Sequence, residues 1–192
     1  MGIYIRERGG DHNYTGDLTL TEERYEKARG KGRLKTAYGI DSHEVNFYDL
    51  LQGKKDGNVD ETLPKYYPGG TGSKGQIFTT AVLLGWLHNK RSDQRANDEF
   101  LRFSDVTDDA PKAILRMIFL EICNDPENKD LDEKVIFNEF CRYADGGIEI
   151  LMENYQKNGN KIDMKEISDD IDKQINEKSA TIQNALGIGT NN

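Results

Sequence analysis

Three histidines, two cysteines and a few clustered carboxylates are the side chains best suited to acid-base, nucleophilic or metal chemistry in this chain. His12, His43 and His88 are far apart, and none belongs to a spaced metal motif such as His-Glu-x-x-His, in which two imidazoles share one helix face. His88 falls near the end of an apolar run and is followed by Asn89-Lys90-Arg91, where a partly exposed histidine favoured by the helix dipole is a plainer reading than a base or a ligand. Cys123 and Cys141 lack the Cys-x-x-Cys spacing of a structural zinc site and are expected to be small buried hydrophobes. Asp105, Asp108 and Asp109 would suit a magnesium-dependent nuclease only with a following Glu-x-Lys on a neighbouring strand, and no such strand is legible after them, while Asp108 or Asp109 already reads as a helix cap. These residues assign no catalytic group, metal or cofactor. Whether the chain is an enzyme stays open, leaning against.

Anion binding has three candidates. The run Gly69-Gly70-Thr71-Gly72-Ser73-Lys74-Gly75 contains the residue types of a phosphate loop, but Lys74 is followed by Gly75 and Gln76 rather than Ser or Thr, and no apolar strand precedes it. A turn-rich linker is expected there. Residues 27–35 hold the basic run that includes Lys31, Arg33 and Lys35, with a solvated loop as the bland alternative. Lys90, Arg91 and Arg95 follow a buried helix directly, and a conformationally fixed basic turn is the better contact for DNA phosphates. Charge balance points the other way. The net charge is −8, and residues 121–180 carry 16 acidic and 8 basic side chains, leaving the rest of the chain neutral. Nucleic-acid binders usually present a basic face, whereas an acidic helical surface fits a basic protein partner or serves solubility.

The elements that must position these residues are mostly helices. Hydrophobic residues make up 35% and charged residues 31%, with a mean hydropathy of −0.78, as in a polar, soluble protein. The longest apolar run, residues 81–87, falls far short of the roughly 20 residues needed to cross a bilayer. No signal sequence is legible at the N-terminus, so the cytoplasm is the expected compartment. Residues 1–75 read as a polar, Gly- and Tyr-rich irregular region with a short helix near 22–29 and a helix or strand near 45–51. Residues 76–160 read as a helical core domain, and residues 161–192 as an amphipathic helix with a polar tail.

Within the core, residues 76–90 form a helix apolar on all sides, residues 99–103 a strand or extended segment, and residues 110–123 a helix. Val135, Ile136, Phe140 and Tyr143 recur at helical spacing, Gly146-Gly147 ends that helix, and Ile148, Ile150 and Leu151 begin another that runs to about residue 157. A tight corner at Tyr143, Gly146 and Gly147, with positive φ at a glycine, is the expected link. Asp163 caps a last helix carrying Ile167, Ile171 and Ile175. The expected fold is mainly α, a compact helical domain of about five helices with a polar, irregular N-terminal third.

Residues 76–154 resemble the Dnd-associated small proteins, which accompany DNA phosphorothioation systems. Three pieces carry the resemblance: Ile77-Phe78-Thr79-Thr80-Ala81-Val82-Leu83-Leu84-Gly85-Trp86 before a basic turn; Phe103-Ser104-Asp105 leading into Ile114-Leu115-Arg116-Met117-Ile118-Phe119-Leu120-Glu121; and Arg142-Tyr143-Ala144-Asp145-Gly146-Gly147-Ile148-Glu149-Ile150-Leu151, similar to the family's Glu-Tyr-Ala-x-Gly-Gly-Ile-x-x-Leu. The long N-terminal third and the final helix depart from the family pattern. The resemblance implies a non-catalytic accessory or adaptor subunit of a prokaryotic antiphage modification-restriction system, with a larger ATPase or nuclease as its partner, no membrane role, and DNA contact through the basic turn. It transfers no catalytic residue. The alternatives are a DNA-binding protein that senses modification, using both basic runs, and a metal-dependent nuclease built on the three aspartates.

Overall fold

The computed structural model describes residues 23–30, 33–36, 47–55, 58–61, 64, 66, 71–93, 98–106, 109–124 and 133–185. The architecture is mainly helical. Helix α1 covers 23–30, α2 Phe47–Leu51, α3 Thr71–Leu87, α4 Asp109–Asn124, α5 Glu133–Lys157 and α6 Met164–Ala185. Two small antiparallel pairs accompany them. Strand β1 (Arg33–Thr36) pairs with β4 (Asp98–Arg102), and β2 (Lys54–Lys55) with β3 (Asn58–Val59). A single 3-10 turn, Phe103–Asp105, leads from β4 towards α4.

Helix α3 is the centre of the packing because it has no polar face to leave in water. Ile77, Phe78, Ala81, Val82 and Leu84 are all fully buried. It starts at Thr71, so the expected linker is already helical there, while Gly69 and Gly70 lie outside the described residues. Glycines in a first turn cost helix propensity, but each later turn of α3 buries apolar surface, and that burial sustains the helix through them. Gly75 is also packed, since a Cβ there would already touch the Val106 side chain at 3.4 Å.

The expected corner does not exist. Helix α5 runs unbroken from Glu133 to Lys157, and Gly146 and Gly147 lie in its interior without positive φ. Each glycine in a helix interior costs about 1 kcal/mol relative to alanine, so a physical return is required. It comes from the crossing of α5 over α3. A Cβ on Gly147 would overlap the backbone of Ala81, one on Gly85 the carbonyl of Tyr143, and one on Gly146 the carbonyl of Lys90. The glycines therefore let two helix backbones touch, which no side chain larger than hydrogen permits.

Contact of the backbones leaves no room for side chains at the crossing, and the core divides around it. One cluster gathers Phe78, Val82, Phe103, Leu115, Ile118, Phe119, Phe140 and Ala144, joined by Tyr25 from α1. Tyr25 packs edge-on against Phe103 and Phe119, with ring centroids 5.7 and 5.6 Å away. The other cluster gathers Phe47, Tyr48 and Leu51 of α2 with Ile77, Ala81, Leu84, Ile148, Leu151, Ile162 and Ile167. Residues of the N-terminal third thus enter both clusters. Cys123 and Cys141 are buried in the first and form no disulfide.

Both long-helix ends close by the same device. At the end of α3, Asn89 has φ of 49°, its N–H donates to the Trp86 carbonyl at 3.2 Å, and the Lys90 N–H donates to that of Gly85 at 2.8 Å. At the end of α5, Gly159 has φ of 65°, its N–H donates to Gln156, and the Asn160 N–H donates to Tyr155. Each is the left-handed cap that satisfies terminal carbonyls. Helix α6 starts as expected: the Asp163 carboxylate accepts the N–H groups of Lys165 and Glu166, both at 3.0 Å. Asn154 of α5 positions this cap by accepting the Asp163 N–H at 2.9 Å and donating to Glu166.

Two results are expected from urea denaturation. Gly85→Ala and Gly147→Ala should each cost about 3 kcal/mol through overpacking, while Gly30→Ala, with open space at its Cβ, should change stability by less than about 0.5 kcal/mol. Equal, small effects at all three would show that the helices do not depend on backbone contact. Asp163→Ala should cost about 1 kcal/mol by removing the α6 cap, and an unchanged midpoint would contradict that capping role.

Candidate functional site

Because Lys90 and Arg91 follow the left-handed turn that ends α3, they are delivered onto α5 rather than into solvent. The Lys90 ammonium sits 2.8 Å from Glu153 and 3.5 Å from Glu149. Burial works against its charge, but the hydrogen bond and field of Glu153, with Glu149 behind, hold it above the ordinary lysine range. Arg91 reaches Glu139 at 3.1 Å and lies over the Tyr143 ring, 5.1 Å from its centroid. Arg142 then completes the clasp. Its guanidinium donates to Glu139 at 2.8 Å, to the Ser92 carbonyl at 3.0 Å and to Asp93 at 3.1 Å, while the buried Ser92 donates its N–H back to the Arg142 carbonyl.

The two cations of the basic turn that the structure describes are thus already matched to carboxylates of α5. Arg95 and Lys31 lie outside the described residues, and for Arg33 and Lys35 only the backbone of β1 is described. Arg33 is opposite Arg102 and Lys35 opposite Glu99 in the β1–β4 pair. Of the aspartates weighed for a metal, Asp109 is exposed in the first turn of α4, only the backbone of Asp105 is described, and Asp108 lies outside. His12 and His43 lie outside as well. His88 is exposed at the end of α3 and its Nε2 meets Asp170 of α6 at 2.7 Å, an ion pair when the ring is protonated. Among the described residues no three His, Cys, Asp or Glu side chains converge as a metal site would require.

Instead, the structure brings together a cleft of about 300 Å³ that no spacing in the sequence announces. It opens where the end of α3, the turn after it, the last turns of α4, the middle of α5 and the outer part of α6 converge. Trp86 and Tyr143 supply its aromatic surfaces, Ile122 an apolar one, and Arg91, Glu139, Glu121 and Lys178 its charges. Tyr143 is fixed by donating its hydroxyl to Asn89 at 3.3 Å. Lys178 crosses from α6 to place its Nζ 3.7 Å from the centre of the Trp86 ring, where it also donates to the Trp86 carbonyl at 3.3 Å. An ammonium over an indole face is attracted by the ring quadrupole, and desolvation strengthens that attraction.

Two groups of this cleft carry charge at a cost. Burial pushes the Lys178 ammonium below the ordinary lysine range, against the opposing field of Glu121. Burial likewise pushes the Glu121 carboxyl above the ordinary carboxylate range, and the nearby Lys178 restrains the rise. The two charges therefore support one another across the mouth of the cleft. Chemically the arrangement can sort ligands by charge and hold a cation against an aromatic face. Comparison of the chain with protein-family models, with curated proteins and with solved structures yields no match.

The mutual support of Glu121 and Lys178 is measurable. Between the ordinary carboxylate pKa and the raised one, the folded chain holds a proton that the unfolded chain has released, so this group's contribution to stability falls as pH rises through that window. Solvent access limits the effect to under about 1 kcal/mol. Glu121→Gln should flatten that part of the pH profile, and in Lys178→Met the Glu121 carboxyl, followed by NMR titration, should rise further. A Glu121 carboxyl that titrates identically with and without Lys178 would separate the two charges.

Proposed function

We propose that this chain is a non-catalytic helical adaptor that acts by binding another protein. The observation that carries this reading is the inward commitment of its basic turn: Lys90 and Arg91 are spent on Glu153, Glu149 and Glu139, while exposed acids remain along the adjoining α6. A phosphate backbone is bound by cations that exchange salt counterions for it, and cations already matched to carboxylates release few. Acidic Asp169 and Asp172, exposed along α6, instead suit a partner with a basic face. The resemblance of residues 76–154 to the Dnd-associated small proteins supports an accessory role in an antiphage DNA modification-restriction system, beside a larger ATPase or nuclease.

The full chain, tagged and co-expressed with the products of its neighbouring genes, should carry one larger protein through purification. Reversing Asp169 and Asp172 to lysine should lower that recovery by about tenfold, consistent with loss of electrostatic complementarity. A monodisperse chain that retains none of those products would sink the adaptor reading. Salt-dependent retention of DNA by the purified chain, lost on neutralising the basic residues, would favour the modification-sensing alternative.

A further inference from the structure

The cleft at Trp86 holds one cation, Lys178, that reaches in from the outer part of α6. Glu139 is shared by Arg91 and Arg142, at 3.1 and 2.8 Å. Glu121 differs from it, because among the described residues no hydrogen bond reaches its carboxylate and only the field of Lys178 favours its charge. Remove Lys178 and the cleft keeps an aromatic face and a partly solvated carboxylate without a counterion. Those are the two components of an alkylammonium site: a π surface for the methylene end and charge, and an acid beside it.

Lys178 is itself attached by little else. The apolar stripe of α6 starts buried at Ile167, is half-buried at Ile171 and stands exposed at Ile175. Between residues 172 and 180 only Gln174 and Lys178 are half-buried, and the rest are exposed. The contact over Trp86 therefore comes where hydrophobic burial of the helix has already run out. The ammonium's contacts with the indole face, the Trp86 carbonyl and the field of Glu121 can all be made by another ammonium, and the tether to α6 gives Lys178 a high local concentration while it is in place.

From this geometry we infer that the Trp86 cleft is a lysine-recognition site for a partner protein, and that Lys178 is its internal occupant in the free chain. A lysine side chain of the partner replaces Lys178 over the indole and takes Glu121 as its counterion. The outer part of α6 is released in the exchange, and its charged surface, already exposed, becomes free to move onto the same partner. This inference rests on the adaptor reading for the source of the lysine, and the site itself can be tested without the partner.

Trp86 is the one tryptophan of the chain, so fluorescence excited at the red edge of the tryptophan band, where the tyrosines do not absorb, reports on this cleft. The probe is acetyl-Gly-Lys-Gly-amide, titrated at constant ionic strength beside the same peptide acetylated on its lysine. Lys178→Met should bind the charged probe about tenfold more tightly than the unaltered chain, since the internal competitor is gone. Lys178→Gln should behave alike, guarding against a peculiarity of one variant. Adding Glu121→Gln to Lys178→Met should weaken binding by about tenfold, and the acetylated probe should give no saturable change. The inference is overturned by an equal response of the unaltered chain and both Lys178 variants, by no saturable response in any of them, or by equal binding of the acetylated probe. A chain that carries its partner while the cleft ignores the probe loses this inference and keeps the adaptor reading. A cleft that selects the charged probe in a chain carrying no partner keeps the site and loses that reading.

Discussion

Direct contact between the backbones of α3 and α5 is the constraint on which the rest of the molecule depends. At Gly85 and Gly147 the two helices approach until main-chain atoms touch, Gly146 meets the backbone of Lys90 just past the end of α3, and alanine's single methyl at any of the three would collide with a carbonyl or a backbone segment of the neighbour. Such a contact fixes the rotation and the axial position of each helix together, because sliding by one residue would drive a side chain into the opposing backbone. The register fixed in this way sets Trp86 and the turn that follows it against Tyr143, Glu139 and Arg142. Without it there would be neither the clasp around Ser92 nor the cleft beside it.

The ion pairs of the clasp add direction more than stability. Arg91, Arg142, Lys90 and their carboxylates are all partly solvated, and exposed pairs of this kind contribute roughly 0–1 kcal/mol each. Their value lies in geometry. Glu139 accepts from two guanidiniums at once, and the Arg142 guanidinium spans a carboxylate, a main-chain carbonyl and Asp93. The turn between α3 and β4 is thereby held along the length of α5. A basic sequence motif has been turned into an internal fastening, and the charge that remains on the nearby surface of α6 is mostly acidic.

Helical segments were legible where one physical signal dominated. The apolar periodicity of residues 110–123 and 133–145 marks α4 and the first half of α5, and Asp163 marks the start of α6 by its capping chemistry. Gly146-Gly147 misled because the same residue pair serves two opposite purposes, a helix stop with free backbone and a helix interior with a touching neighbour. The neighbour is Ala81 and Gly85 of α3, some sixty residues away, and local pattern contains no trace of it. Thr71-Gly72-Ser73 misled for a related reason, since burial further along α3 decides whether a weak first turn forms. The cleft was invisible for a stronger one: Trp86, Glu121, Tyr143 and Lys178 belong to four helices, and their spacing in the chain has no period. The low tryptophan content is the one feature that could have directed attention to residue 86.

The division of the core around the crossing has a consequence for how the molecule comes apart. Phe78 and Val82 belong to one cluster and Ile77, Ala81 and Leu84 to the other, so the two sides of α3 serve different clusters. Along α5 the split is lengthwise, with Phe140 and Ala144 before the glycine pair and Ile148 and Leu151 after it. Neither cluster can open without disturbing a helix that the other requires. Two hydrophobic centres in this arrangement melt as one cooperative unit, and slow amide exchange should extend evenly through α3 and the middle of α5 rather than mark two subdomains of different lifetime.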